Sequence, residues 1–427
     1  MPPSSPQPLS PIPSGLDPDT ALIRILEGVG PIAGSEVVAV LEARGRVLAR
    51  DAHAPVALPR FTSSAMDGYG VQGEDLPLVA GRKLQLAQRV HAGHMGSVAP
   101  LAAGMTVRLT TGAVVPPGVA TIVPDEDVSL ASGGIHIVQP PAAGANIRWA
   151  GEDVEAGSLL AGANTRLTPP HLMLLAATGL DTVSVRRRAR IGLLSSGTEL
   201  VHPGAAPAGA QIIDTNRLML TQMLAGADIE LTDLGIAPDQ LDAIGQTLSP
   251  ARELDLLITT GGAANSETDL IAEAVRAAGG YLDTLVLDLK PGRRLGHGRL
   301  GAARVLSLPG NPAASLVTAL LFALPLISRL TGRTAPPRWQ LATVLAPIRS
   351  RPGRTTILAV RATRNARGEI VGVAPCGLND SHRLSPLALA DGLVRIDPTD
   401  AGVEAGMPVP FIAMASVFDG CAEDIGR

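Results

Sequence analysis

From about Arg188 the chain repeats one pattern: a short apolar run, a small polar turn, then an amphipathic stretch. ARIGLLSSG ends in Ser195-Ser196-Gly197, LDLLITTGG in Gly261-Gly262, and RVLSLPGNPAASLVTALL turns through Gly310-Asn311-Pro312. Between them the pattern predicts a helix from Asp214-Thr215 to Leu224, a strand IELTDLGI, a helix begun at Pro238-Asp239, and a helix DLIAEAVRAAGG. Strand, tight turn and helix in repetition predict an open, mostly parallel α/β sheet with helices on both faces. The most apolar window, Ala313 to Leu330, contains Ser315 and Thr318 and is near the lower length limit for a bilayer span. It reads as a buried helix against that sheet.

Elsewhere the period changes. Asp17 to Val29 predicts a capped helix that starts at Asp17 or Asp19, with Ala21, Leu22, Ile25 and Leu26 on one face, and Gly34 to Ala49 continues in a second helical pattern. Asp51 to about Ala150 breaks into short Val/Leu runs separated by Gly and Pro, which predicts a β-rich domain. Thr168-Pro169-Pro170 starts a further helix that Gly179 ends. The β-rich block is therefore expected as an insertion between two helical pieces of one body. After the Pro-rich APPRW at 335–339, short alternating runs return as a small β domain. The expected multidomain division is a disordered lead-in at 1–15, a linking domain at 16–50 and 151–187, the inserted β-rich domain at 51–150, an α/β domain at 188–334 and a C-terminal β domain at 335–427.

Composition narrows the partners. The 427 residues are 46% hydrophobic but only 2% aromatic, so the cores must be built from Leu, Val, Ile and Ala. A net charge of -4 gives no general electrostatic grip on nucleic acid. Two cysteines, Cys376 and Cys421, supply neither a disulfide framework nor a thiolate zinc cluster, which fits a reducing compartment, the cytoplasm. MPPSSPQPLSPIPSG lacks the basic flank and apolar core of a signal peptide.

Ligands of open α/β sheets bind at the carboxyl ends of the strands. Three such ends carry permissive turns: Ser195-Ser196-Gly197-Thr198-Glu199, Thr259-Thr260-Gly261-Gly262 and Leu308-Pro309-Gly310-Asn311-Pro312. Glycine lets backbone N–H groups approach an anion, and the following helix N-terminus adds a positive dipole, so a phosphate-bearing or polyoxygenated ligand is expected. Glu199, Asp239 and Asp269 fall at the same level. Asp239 and Asp269 suit helix N-capping as well as they suit Mg²⁺, which takes one or two carboxylates plus substrate oxygens. Lys290-Pro291-Gly292-Arg293-Arg294 reads either as a solvated charge run or as a grip on an oxyanion. His91 and His94 read as an exposed loop rather than a metal site. PRFTSSAMDGYG concentrates one of four Phe and one of two Tyr around Asp67, either as a packed corner or to hold that carboxylate for a ligand.

These motifs together resemble one family. PRFTSSAMDGYGV is similar to the PxFDNSAMDGYAV signature of the MoeA-type molybdopterin molybdenumtransferases, which include the gephyrin E-domain. LTTGAVVPPGVATIV, GEDVEAG, LLSSGTEL, IIDTNRLML, TTGG, LKPGRR, LSLPGNPAASLVT and LSPLALADGL follow in family order, so the likeness runs from about residue 16 to 415. The resemblance implies a homodimer whose active site lies between the α/β domain of one subunit and the inserted β domain of the other. It implies insertion of molybdate into adenylylated molybdopterin with release of AMP, dependent on Mg²⁺. Carried over by position, Asp67, Asp153, Glu199, Asp239 and Asp269 are the catalytic carboxylates, the last two also metal ligands. Thr111, Ser195, Ser196, Gly197, Gly261, Gly262, Pro309, Gly310, Asn311 and Pro312 bind the nucleotide-pterin. Lys290 and Arg293 stand at the family's molybdate turn, and Ser385 matches the serine of its final domain. The expected partners are these small molecules, a second copy of the chain and other cofactor-biosynthesis proteins, with neither nucleic acid nor membrane.

The chain departs from the family pattern at several positions. Thr62-Ser63 replaces Asp-Asn, Ala264-Asn265-Ser266 replaces Ser-Val-Gly, and Ile357-Leu358-Ala359 replaces Phe-x-Arg. One arginine, Arg148, remains of a run before GED, and Arg294 stands for a proline. A cation lost at Ala359 and one gained at Arg294 suggest compensation. A non-catalytic pterin-binding or scaffold relative is the alternative to the insertase.

Overall fold

The computed structural model describes residues 15–73, 75, 83–96, 99–139, 141–261, 270–333, 339–377 and 382–418. The sheet that carries the strand-end turns has six strands: Ala189–Ser196 (β1), Ile229–Ala237 (β2), Leu256–Thr260 (β3), Tyr281–Val286 (β4), Arg294–Leu300 (β5) and Ala303–Leu308 (β6). Their spatial order is β2-β1-β3-β6-β5-β4. The first four in that order run parallel, and β5 and β4 complete the sheet antiparallel.

Alternation along the strands sends side chains to opposite faces. Ile191, Leu193, Ile258 and Leu306 enter one core, with Leu220 of helix Thr215–Leu224 (α1). Leu194, Leu257 and Val305 enter the other, with Ile244 of helix Leu241–Leu248 (α2) and Ile271 of helix Leu270–Ala277 (α3). Both faces are covered, which is why β1 and β3 are apolar or small at nearly every position.

The most apolar segment is the helix Pro312–Thr331 (α4). By length and composition it is able to cross a membrane, yet 83% of its apolar window is buried inside the molecule, with Phe322 and Leu326 fully enclosed in the first core. Pro325 cannot donate a backbone hydrogen bond, and the turn before it, Ala319–Ala323, widens to a π-helix.

Gly34 to Ala49 do not form the expected helix. Ser35–Ala39 is a strand paired antiparallel with Thr182–Arg186, and Val40–Glu42 make one 3₁₀ turn. The β-branched pair Val37-Val38 suits a strand, and its partner lies across the whole β-rich insertion, where periodicity cannot register it. The pieces on either side of the insertion do close onto each other, but largely through strands. Ala52–His53 pairs with Leu159–Ala161, and helix Pro169–Ala177 packs its Leu175 over the joint.

The inserted block is a six-stranded sheet in the order Val119–Pro124, Gly68–Gln72, Met105–Leu109, Lys83–Val90, Gly134–Ile137, Val128–Ala131. The C-terminal sheet is built on Thr355–Arg364, Gly392–Ile396, Pro408–Ala413 and Gln340–Thr343, with Ile370–Pro375 beside the first. Its opposite edge is Leu289–Lys290, which pairs with Thr355-Thr356. The Lys290 turn therefore sits at the junction of the α/β sheet and the C-terminal sheet.

Candidate functional site

Register brings the three turns together. Ser195 pairs with Thr260, and Thr260 with Leu308, so β1, β3 and β6 end at one level. The Ser195 and Thr260 hydroxyls share a buried hydrogen bond of 3.1 Å. Gly261 has φ +89°, and a Cβ there would lie 2.1 Å from the Ser196 carbonyl oxygen. No L side chain fits that position. A Cβ on Gly310 would in turn lie 3.5 Å from Gly261 Cα, so the third turn stacks on the second. Asn311 and Pro312 then open α4.

Two carboxylates flank the first turn. The Ser196 hydroxyl donates to Asp239 Oδ1 at 2.8 Å, the Thr198 N–H lies 3.4 Å from Oδ2, and the Asp239 N–H donates back to Thr198 Oγ1 at 3.1 Å. Asp239 is thus not a helix cap: α2 starts at Leu241 with Gln240 before it, and the Asp239 side chain turns to the neighbouring strand end instead. Glu199 folds over Gly197, where a Cβ would meet its carboxylate oxygens at 2.8 and 2.9 Å. Both carboxylates are exposed to solvent. Asp269 and Gly262 lie outside the described residues.

Asn216, which motif reasoning left without a role, clamps the third turn. It is buried at the start of α1, and its side-chain N–H donates to the Gly310 carbonyl at 2.7 Å. Next to it, Arg217 is buried in an ion-paired group with Asp214 and Asp233 that pins the N-terminus of α1. The Asp-Thr-Asn sequence at 214–216 was the available signal, a cap followed by a buried amide.

A second hollow lies along α4, beyond the strand ends. It is a cleft of about 40 Å³ between the Lys290-Pro291 turn, Ala313 and Val317 of α4, and Ala359, Arg383 and Pro386 of the C-terminal region. Lys290 and Arg383 bring positive charge to an otherwise largely apolar lining. Ser385, exposed, precedes Pro386 at the start of the short helix Ser385–Ala388. Arg293 is exposed on the same turn as Lys290, and its carbonyl accepts from the Leu287 N–H at 2.6 Å. Ala359 lines the cleft with Arg383, whereas Arg294 opens β5 and is not part of the lining. Arg383 escaped motif reading because it lies outside the turn and only the fold carries it there.

On the inserted sheet, Asp67 and Thr111 meet. Asp67 Oδ1 accepts from the Thr111 N–H at 2.7 Å and from its hydroxyl at 2.8 Å. Those two hydrogen bonds, the backbone one first, hold the Asp67 carboxyl below its usual range, with the charge of Arg108 adding to them. The loop before it is tied down on both sides. Ser64 N–H donates to the Ala113 carbonyl at 2.9 Å, Val115 N–H to Thr62 at 3.0 Å, and Ala65 N–H to Asn146 at 2.9 Å. Tyr69 is buried with the Arg108 guanidinium 5.2 Å from its ring centre, so the scarce aromatic is an anchor for the corner. Asp153 sits on a neighbouring loop whose backbone bonds to Leu58 at 3.1 Å. Tyr69 thus packs the corner that holds the carboxylate, whereas Phe61 is 43% exposed and takes no part in it.

The donor set suits Mg²⁺, which is content with one or two carboxylates and completes its shell with water and phosphate oxygens. Among the described residues no three His, Cys, Asp or Glu side chains gather into an all-protein metal cage. Asp239 keeps lone pairs on both oxygens beyond the bonds from Ser196 and Thr198, and Glu199 lies beside the same turn.

Comparison with known proteins agrees along the chain. Family models match in three consecutive stretches: the MoeA N-terminal region (domain I and II) over residues 16–179, a probable molybdopterin binding domain over 192–329, and the MoeA C-terminal region (domain IV) over 342–414. A molybdopterin molybdenumtransferase of Haemophilus influenzae is 32% identical over 396 residues, which span 92% of this chain and 96% of that protein. Molybdopterin molybdenumtransferase 2 of Mycobacterium tuberculosis is 33% identical over 385 residues, 86% of this chain and 92% of that protein. Among solved structures, a molybdopterin biosynthesis MoeA protein from Pyrococcus horikoshii superposes with a TM-score of 0.79 at 25% identity, covering 93% of this chain and 100% of that one.

Proposed function

Since the chain belongs to the MoeA family of molybdopterin molybdenumtransferases, we propose that it inserts molybdate into adenylylated molybdopterin and releases AMP with the help of Mg²⁺. It is a transferase of molybdenum cofactor biosynthesis. The observation that carries the finer reading is the meeting of Ser196, Glu199 and Asp239 at the strand ends, from which α4 runs on to the cleft of Lys290.

The stacked turns of Ser195-Ser196-Gly197, Gly261 and Pro309-Gly310-Asn311-Pro312 cradle the phosphates of the adenylylated ligand. Asp239, with Glu199 near the same turn, and Asp269, which the motif likeness assigns, would hold Mg²⁺, which neutralises charge at the phosphoanhydride. Lys290, Arg293 and Ser385 receive the molybdate dianion, whose charge needs cations close to the dithiolene. Asp67 and Thr111 belong to the inserted domain and Asp153 to the loop beside it, and a second copy of the chain brings them to the strand ends. Exposed apolar side chains on the linking body, with Leu41 93%, Met173 71% and Val37 70% accessible, support such pairing.

The test is direct. The full chain is incubated with adenylylated molybdopterin, Mg²⁺ and molybdate, and AMP and protein-bound molybdenum are measured. AMP release with molybdenum retained is expected. Tight ligand retention without AMP at saturating molybdate and Mg²⁺ would make this a binding module instead.

A further inference from the structure

The chain spends few residues on aromatic rings, yet two of them stand exposed on neighbouring loops, Phe61 and Trp149, the latter 50% accessible. The other tryptophan, Trp339, packs against the first core instead. The Trp149 turn is fixed from both ends. Its N–H donates to Glu152 Oε2 at 2.7 Å, and the Glu152 N–H donates back to the Trp149 carbonyl at 3.2 Å. Arg148 pairs with Ser63, the Ala150 N–H donates to Thr62 Oγ1 at 3.2 Å, and the Gly151 N–H donates to the Pro59 carbonyl at 3.0 Å. These bonds tie the turn to the loop that carries Phe61 and runs on to Asp67, while Asp153 follows the turn. Each ring comes after an exposed arginine, Arg60 before Phe61 and Arg148 before Trp149. A ring held on a rigid turn loses little conformational freedom when it stacks, and the indole face suits a flat heteroaromatic ring. An adjacent guanidinium suits the anionic remainder of such a ligand.

We infer that Trp149 is a ring-stacking residue of the composite site and seats one flat heterocycle of the adenylylated ligand, adenine or pterin. This rests on the reading that a second copy brings Asp67, Thr111 and Asp153 to the strand ends, and Trp149 travels with them. Where the family pattern has a run of arginines, this chain presents a ring after Arg148.

The full chain carrying Trp339→Phe keeps Trp149 as its one tryptophan, so fluorescence reports the site without turnover. AMP and 6-hydroxymethylpterin are titrated separately, and each titration is repeated by calorimetry. Saturable quenching by one of them is expected, and it identifies the ring that is seated. Trp149→Ala should weaken that ligand by roughly tenfold, the worth of one stacked ring, whereas Trp149→Phe stays near the parent. With adenylylated molybdopterin, Trp149→Ala should raise KM and leave kcat in place, because stacking holds ground state and transition state alike. If Trp149→Ala has the KM of the parent, or neither ring quenches while AMP release persists, Trp149 has no part and the insertase reading survives. If Trp149→Ala splits a dimer that the parent keeps in sedimentation velocity, the ring belongs to the subunit contact and the inference fails. If the parent neither releases AMP nor binds either ring, both readings fall together.

Discussion

Thr111 grips the Asp67 carboxylate twice, through its backbone N–H at 2.7 Å and its hydroxyl at 2.8 Å. Both bonds favour the charged form, so Asp67 stays ionised to lower pH than an ordinary carboxylate. Thr111→Val removes the hydroxyl bond and leaves the backbone one. The Asp67 carboxyl should then titrate at higher pH in a carbon-detected NMR titration, while Thr111→Ser leaves it in place. The linkage sign follows: the stabilisation is present above the ordinary carboxylate pKa and is lost as pH falls through the depressed one.

Asp239 is expected to matter through Mg²⁺ rather than through folding. Asp239→Asn should cut AMP release by roughly a hundredfold or more and raise the Mg²⁺ concentration needed for half-maximal release. Ser196→Ala, which deletes only the 2.8 Å bond to that carboxylate, should cost about tenfold. Unchanged rates in Asp239→Asn would remove the strand-end carboxylate from the reaction.

A methyl group at Gly261 has no space. With φ at +89° and the Ser196 carbonyl 2.1 Å from the added Cβ, Gly261→Ala must shift β1 against β3. A destabilisation of roughly 2–4 kcal/mol is expected in chemical denaturation, together with loss of nucleotide binding. Gly245→Ala, at a position where an added Cβ meets nothing within 4 Å, serves as the control.

His297 on β5 supplies an acid-sensitive element away from the site. Burial, then the charges of Arg304 and Arg24, push its pKa down from 6.5 to about 4, against a smaller opposite pull from Asp283. The unfolded chain therefore binds the proton more readily. Stability from keeping the ring neutral is complete above pH 6.5 and is lost as pH falls toward 4. In His297→Leu, the difference in unfolding free energy between about pH 7 and about pH 4.5 should shrink by up to roughly 2–3 kcal/mol. An identical acid slope in the variant would assign that sensitivity to other groups.

Pairing of subunits is open to a complementation test. Asp67→Asn and Asp239→Asn homodimers should each be inactive. Mixed after denaturation and refolding, they form a heterodimer with one intact composite site, so about a quarter of wild-type activity returns for a two-fold assembly. A site completed within one subunit would recover nothing in the mixture.

The helix ends show how much was local. Asp17, one of two candidate starts with Asp19, and Asp214 cap their helices, because a short acceptor side chain reaches the next free N–H groups and needs no distant partner. Thr168 with Pro169 and Pro170 opens a helix for the same reason. Ser35–Ala39 shows the limit: its strand character comes from Thr182–Arg186, nearly 150 residues on. Asp239 shows it at the site, since a residue placed like a helix cap spends its side chain on Ser196 of another strand.

Apolar runs, glycines and prolines thus set which segments are strands, which turns lie permissive at their ends, and, through the motif likeness, the chemistry to expect. These are properties of neighbours in the chain. Packing settled the pairings instead: Asn216 on Gly310 and Thr111 on Asp67. Sheet order and register fix which distant loops share a rim, and a charge acts only over the few ångströms that such closure leaves.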